Sequence, residues 1–286
     1  MQRPLRQSAG SCRASDIARF LGTELYGNEI ELIGVSPLSF PCPNSLVFSK
    51  VKLVNECFHK VCFIVPELPE VMGSNAFIVV KNPRLSFAKA VQEFFSERKK
   101  EGIGQFTVIG KDVDIGEGTE IRHHVVIADG VKIGKDCLIR SHVVIGEEGF
   151  GFDYEEDGTP IRVPHLGNVV IGDHVELGNF TVVARGTLSN TVICSNVKTD
   201  NLVHIAHNCF IHENSLFAAC AEVSGSVVIG RNCWVGPGAS IKQKLNIGEN
   251  SIIGVGAVVV KDVLPGSVMA GNPARFLRFR EAGYGV

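Results

Sequence analysis

From Ile109 to Ile145 an aliphatic residue returns every six positions, and the period resumes at Ile171, Leu177 and Val183. A third block runs from Ile193 to Val259, with Thr199 and Phe217 as its only non-aliphatic members. The blocks hold seven, three and twelve such positions, too many for chance. A helix needs a period of about 3.6 and a half-buried strand one of about 2, so neither explains a strict six. A fixed short period marks a solenoid, and hexapeptide repeats mark a parallel β-helix. Four residues after each key position stands another small or aliphatic residue, as at Thr119, Val125, Val175, Val227, Cys233 and Ala257. Both sets are expected to point inward and stack along the axis, leaving the polar positions between them outside.

Residues 14 to about 100 do not follow the hexad. Ala14–Leu21 reads as a short helix with Ser15 or Asp16 as its cap. Ile30–Val35, Cys62–Val65 and Ala76–Val80 are β-rich runs bounded by Gly, Pro or Asn. Pro83 then opens an amphipathic helix whose expected apolar face is Leu85, Phe87, Ala88, Val91, Phe94 and Phe95. The expected organisation is a mostly β chain. A small α/β domain (1–104) precedes a β-helix (105–265) and a closing segment (266–286). Residues 101–105 form the linker. The period breaks at 146–168 and again, more briefly, near Gly186–Thr191. Solenoid insertions of this kind emerge as loops on one face and often build the binding site.

The chain has 286 residues, 45% of them hydrophobic, and a net charge of −2, which argues against a nucleic-acid binder. The one basic cluster, Arg98-Lys99-Lys100, reads as a charged helix end. Nine cysteines occur without a CxxC, and Cys137, Cys209 and Cys233 fall on inward positions. They read as reduced packing residues of a cytoplasmic protein. No Cys or His set has metal-ligand spacing. The first fifteen residues carry Arg3, Arg6 and Arg13 but no apolar core, so no signal peptide is expected. No apolar run approaches the roughly 20 residues that span a bilayer. His124 and His142 stand three hexads apart, one full coil, and should stack on one face.

The long break and the hexads beyond it carry motifs: GFGF at 149–152, P-x-L-G at Pro164–Gly167, RGTL at 185–188 and DNLVHIAHN at 200–208. With GVSPL at 34–38, LVF at 46–48 and AFIVVKNPRLSFAKAVQEFF at 76–95, they resemble the UDP-3-O-(3-hydroxyacyl)glucosamine N-acyltransferases of lipid A biosynthesis. The resemblance covers about residues 14 to 260. It implies a left-handed β-helix, a homotrimer with sites in the grooves between subunits, and acyl transfer from a thioester to a nucleotide-linked amino sugar. The His of IAHN, His207 here, is the implied general base, a task that suits an imidazole. The resemblance also implies that Phe48 stacks on the uracil ring. His204 stands where the family usually carries Gln. It is a candidate substrate contact together with Asn201 and Asn208, although both asparagines also suit turns.

Departures accompany the likeness. The family's Asp before RG is Ala184, its inward Ile before DN is Thr199, and a second His corresponds to Lys244, kept as a substrate-contact candidate. Val54 aligns with a Tyr that partners the aromatic at Phe48. The family's C-terminal helices engage acyl carrier protein. Here VVVKDVLPGSVMAGNPARFLR instead resembles the end of coenzyme A-dependent hexapeptide acetyltransferases. That likeness implies Lys261, Arg275 and Arg278 near cofactor phosphates, with Gly256 and Ala257 on the pantetheine path. No tightly bound cofactor is expected, and the thioester carrier is acyl carrier protein or coenzyme A. Two alternatives stand beside the lipid A reading. One is a short-chain acyl-CoA enzyme acting on a UDP- or dTDP-amino sugar for another surface glycan. The other is an inactive scaffold relative.

Overall fold

A computed structural model describes residues 7–53, 58–96 and 102–281, with side chains from Ser11 onward. Val54, Arg98, Lys99, Lys100 and the arginines at 3 and 6 lie outside the described residues. The chain divides between residues 99 and 100 into two compact units.

In the first unit β1 (Gln7–Arg13), β2 (Leu25–Gly27), β3 (Glu31–Val35), β4 (Ser45–Phe48), β5 (Cys62–Val65) and β6 (Ala76–Val79) form one sheet, ordered β1-β3-β4-β5-β6-β2. The run β3-β4-β5-β6 is parallel, and the edges β1 and β2 pair antiparallel. Every residue of β5 is buried, which is why it reads as a continuous apolar run rather than an alternation. The edge strands carry no such signal: β1 is QSAGSCR and pairs through a register shift.

Helix α1 (Ala14–Phe20) is capped differently from the expectation. Arg13 is the N-cap residue, and Asp16 sits inside the first turn, accepting the Arg13 N–H at 3.3 Å. Helix α2 (Pro83–Ala90) starts as its proline predicts, with Asn82 Oδ1 accepting from the Leu85 N–H at 3.1 Å. Its buried face corrects the sequence reading. Pro83, Ala90 and Phe95 are buried and Phe87, Val91 and Phe94 half-buried, while Leu85 and Ala88 face outward. Those six positions follow a clean helical stripe carried through a π-turn at Val91–Phe95.

The second unit is a parallel β-helix of the left-handed hexapeptide type. Three parallel faces of eight, seven and nine strands are built from mostly two-residue strands, the last face ending in one antiparallel strand. Val126 pairs with Val144 and Ile127 with Ile145, so one coil is three hexads. Ile133 pairs with Ile171 across the long break, and Ile171 with Ile193 across the short one. Each break thus lengthens a single coil without disturbing the ladder. Coil pairing already begins inside the expected linker, at Ile103 with Ile121.

Hexad residues from Ile121 onward stack in one core, and Phe217 fits there at 2% exposure. Cys137, Cys209 and Cys233 join that core as free thiols. Thr199 is buried without being apolar: its Oγ1 accepts the Gly178 N–H at 2.9 Å and lies 3.2 Å from Thr181 Oγ1. Three residues after most hexad positions the backbone enters the left-handed region, at Asp112, Asn196, Asn208, Asn214 and Asn232 among others. Asn and Asp tolerate that conformation. His124 and His142 occupy it too, and their rings stack at 4.8 Å between Phe106 and Phe180. Ser267–Ala270 pairs with Arg275–Phe279 and closes the last coil. Among the described residues no helix is long and apolar enough to cross a membrane.

Candidate active site

Both breaks open at one corner of the solenoid. They follow Ile145 and Val183, which belong to the face that carries His204–Ile205 on the next coil. The turn after Ile205 holds His207 and Asn208. The 146–168 insertion, the 186–190 loop and this turn therefore lie on consecutive coils of the same corner.

Asn208 organises that corner. With φ at +61°, it sends Oδ1 to three donors: the Thr187 N–H at 3.1 Å, the Thr187 hydroxyl at 2.9 Å and His207 Nδ1 at 2.9 Å. Its Nδ2 donates to Ser189 Oγ at 2.8 Å. A backbone N–H can only donate, so the atom facing it is the amide oxygen, and the hydrogen between the two side chains belongs to His207 Nδ1. In neutral His207 the lone pair is then on Nε2, the tautomer a proton acceptor needs. Gly225 supports the ring from the next coil. A Cβ there would stand 2.6 Å from His207 Cε1 and 2.7 Å from Nε2. Only bare backbone fits beneath the imidazole.

The insertion brings a second imidazole to His207. Its outer part is a hairpin, Phe152–Tyr154 against Pro160–Arg162, and its return leg places His165 edge-to-face with His207, ring centroids 5.3 Å apart. His165 is 2% exposed. Its Nδ1 donates to the Val163 carbonyl at 3.1 Å, while Nε2 is buried without a partner among the described residues. A buried acceptor without a donor costs about 1–3 kcal/mol. Arg185 ties down the start of the insertion, donating to the carbonyls of Gly146 at 2.6 Å and Asp129 at 2.8 Å. Beside this clamp is a cavity of about 340 Å³ lined by Val108, Val126, Ala128, Asp129, Glu148 and Arg185.

The other sequence-predicted residues divide by position. Lys244 is exposed, two coils beyond Asn208 in the same column of left-handed turns. His204 is exposed on the adjoining face, between Val182 and Glu222. Asn201 is six residues before His207, hence one corner away, where its Oδ1 accepts the Asn179 N–H at 2.8 Å. Gly256, at φ +61°, lies on that same neighbouring corner. Ala257 faces the core at 0% exposure, so its side chain lines no groove. Lys261, Arg275 and Arg278 are exposed, and the two arginines bond to the carbonyls of Ala274 and Phe279. In the first unit Phe48 packs on Phe87 at 4.9 Å and lines a cavity of about 610 Å³ with Val35, Pro37, Leu38 and Val51.

Sequence reasoning missed His165, Thr187, Ser189 and Gly225. P-x-L-G and RGTL flagged the first two segments, but nothing in them marks which side chain turns toward His207. Cys194, His212 and Glu213 also bring donor atoms within 4.8 Å of one another, a grouping that only the coiling of the chain creates.

The bacterial transferase hexapeptide family (six repeats) matches residues 112–147 and 226–261. The UDP-3-O-acylglucosamine N-acyltransferase of Campylobacter lari is 34% identical to this chain, over 91% of the chain and 92% of its own length. This chain belongs to that N-acyltransferase family. The similarly named protein of Janthinobacterium sp. is 31% identical over 88% of the chain and 85% of its own length. Among solved structures, the UDP-N-acetylglucosamine O-acyltransferase of Moraxella catarrhalis superposes with a TM-score of 0.58 at 29% identity. It covers 63% of this chain and 68% of its own. LpxA from Acinetobacter baumannii gives 0.57 at 29% identity, with 62% and 67% covered.

Proposed function

We propose that this N-acyltransferase transfers an acyl chain from a thioester to the amino group of UDP-3-O-acylglucosamine, in lipid A biosynthesis. The observation that carries the reading is the His207–Asn208 pair: Nδ1–H is committed to the amide, which leaves Nε2 to take a proton. The amine lone pair attacks the thioester carbonyl while His207 Nε2 removes one amine proton. The tetrahedral oxyanion collapses, the C–S bond breaks, and the imidazolium returns its proton to the departing thiolate. Amide and free thiol result, and His207 is neutral again. A backbone N–H of the corner would hold the oxyanion.

The first unit holds the nucleotide, with the base against Phe48 in the 610 Å³ cavity. His204 and Lys244 are candidate sugar contacts, whereas Asn201 bonds to Asn179 and Asn208 to Thr187, Ser189 and His207, which favours positioning roles for both. The assembly is a cytoplasmic homotrimer with its sites in the grooves between copies. Acyl carrier protein is the first choice of donor. The exposed Lys261, Arg275 and Arg278 favour a second reading, a coenzyme A thioester bound through its phosphates.

Turnover of matched acyl-carrier-protein and coenzyme A thioesters against UDP- and dTDP-amino sugars tests the assignment. Transfer to UDP-3-O-acylglucosamine at least tenfold above the other sugars supports it. Preference for a dTDP sugar would replace the lipid A reading with another surface-glycan pathway, and no transfer to any sugar would leave a scaffold role.

A further inference from the structure

We propose that His165 Nε2 is a substrate-binding acceptor, filled by an O–H or N–H donor that the acyl-transfer substrates carry beside the reacting carbon; this rests on the proposed N-acyl transfer. Neutral His165 has one free lone pair. Its Nδ1 hydrogen goes to the Val163 carbonyl at 3.1 Å, and the opposite nitrogen has no donor among the described residues. At 2% exposure, water does not compensate that nitrogen from bulk. A residue kept only for packing would do better as leucine or phenylalanine, because a buried polar atom left unpaired is a net loss.

The position of the lone pair connects it to the chemistry. A Cβ on Gly149 would meet His165 Nε2 at 3.3 Å, Ala184 Cβ at 3.3 Å and His207 Cδ2 at 3.4 Å. The free nitrogen of one imidazole and the edge of the other thus border the same small space. On the insertion side the ring is faced by Gly149 and Gly151, where a Cβ at 151 would stand 2.7 Å from Cε1. Gly149 and Gly151 put no side chain against the ring there, so on the proposed reading the substrate's donor enters on the side of that loop. A donor arriving with the substrates satisfies an atom the free protein leaves bare, so its hydrogen bond is gained on binding.

Two groups near the reacting carbon have the required chemistry. The attacking amine has a second N–H besides the one His207 removes, and a hydroxyl on the acyl chain near the carbonyl is also within reach. One set of variants separates them. Full-length wild type, His165→Leu and His165→Gln are assayed with UDP-3-O-acylglucosamine and two thioesters of equal length, with and without a 3-hydroxyl. Each is also melted without substrate. His165→Leu should lose at least tenfold in kcat/KM while melting no lower than wild type. His165→Gln, which keeps an acceptor oxygen, should recover most of the rate.

A loss confined to the hydroxylated thioester assigns the bond to the acyl hydroxyl, and an equal loss with both assigns it to the amine. Retention by His165→Leu of more than half the wild-type kcat/KM with both thioesters overturns the proposal. So does a melting temperature several degrees lower, because the loss of rate would then follow from a structural role of the ring. If wild type itself fails to acylate this sugar nucleotide, the parent reading falls, and this one with it.

Discussion

Beneath the His207 ring, the difference between a hydrogen and a methyl group at residue 225 decides where the imidazole sits. Gly225 is not among the positive-φ glycines, so its backbone accepts alanine, yet the added carbon would stand 2.6 Å from Cε1. Gly225→Ala should therefore leave the solenoid folded and displace the base. A misplacement of about 1 Å costs on the order of a hundredfold in rate. A kcat within twofold of wild type, with unchanged circular dichroism, would show that the ring is not held from below. Thr199 illustrates the same resolution in the core. The hexad asks for an aliphatic residue there, and the chain satisfies the hydroxyl internally through Gly178 and Thr181. Residue identity alone could flag the exception but not the bond that permits it.

At the scale of elements, hexad phase was readable because inward stacking tolerates little but small and aliphatic side chains. Phase does not say which corner a residue occupies; that follows from position within the three-hexad coil. Asn201 and His207 share a motif yet sit one corner apart, while His165 and His207 share a corner across two insertions. The edge strands β1 and β2 escaped notice because they are fixed by pairing, not by their own apolar pattern. After α2, the π-turn at Val91–Phe95 carries the buried stripe on to Phe94 and Phe95, and Leu85 is left outside. Phe48, packed on Phe87 of this helix, leads to a prediction at the same scale. Base stacking contributes about 1–3 kcal/mol, and the uniform binding it provides appears in KM. Phe48→Ala should raise KM for the nucleotide sugar about tenfold with kcat nearly unchanged. An unaltered KM would place the base elsewhere.

The whole molecule stores part of its stability in protonated thiols. Burial pushes Cys233 up to about 11 and Cys209 up to about 12, above the ordinary thiol value of 9.0. The unfolded chain releases these protons first as pH rises, so their contribution is complete below pH 9 and is lost progressively toward pH 12. Melting temperature should fall steeply from about pH 9, and Cys209→Ala should flatten that decline. A decline identical in the variant would assign the alkaline loss to other groups. The exposed basic residues of the closing segment give a prediction at this scale too. Replacing Lys261, Arg275 and Arg278 by Ala should depress one donor selectively. A loss specific to coenzyme A indicates phosphate contacts. A loss specific to acyl carrier protein, steep in salt, indicates steering of an acidic partner.

If His207 is the base, as proposed, it acts through Nε2, the nitrogen that Asn208 leaves free. The most direct measurement is the pH dependence of kcat for wild type and His207→Ala, with saturating UDP-3-O-acylglucosamine and acyl-carrier-protein thioester. The expected result is a loss of about 10²–10⁴ in kcat, an acidic limb present only in wild type, and an unchanged oligomeric state. A variant that keeps more than half of wild-type turnover, or the same acidic limb, would contradict it.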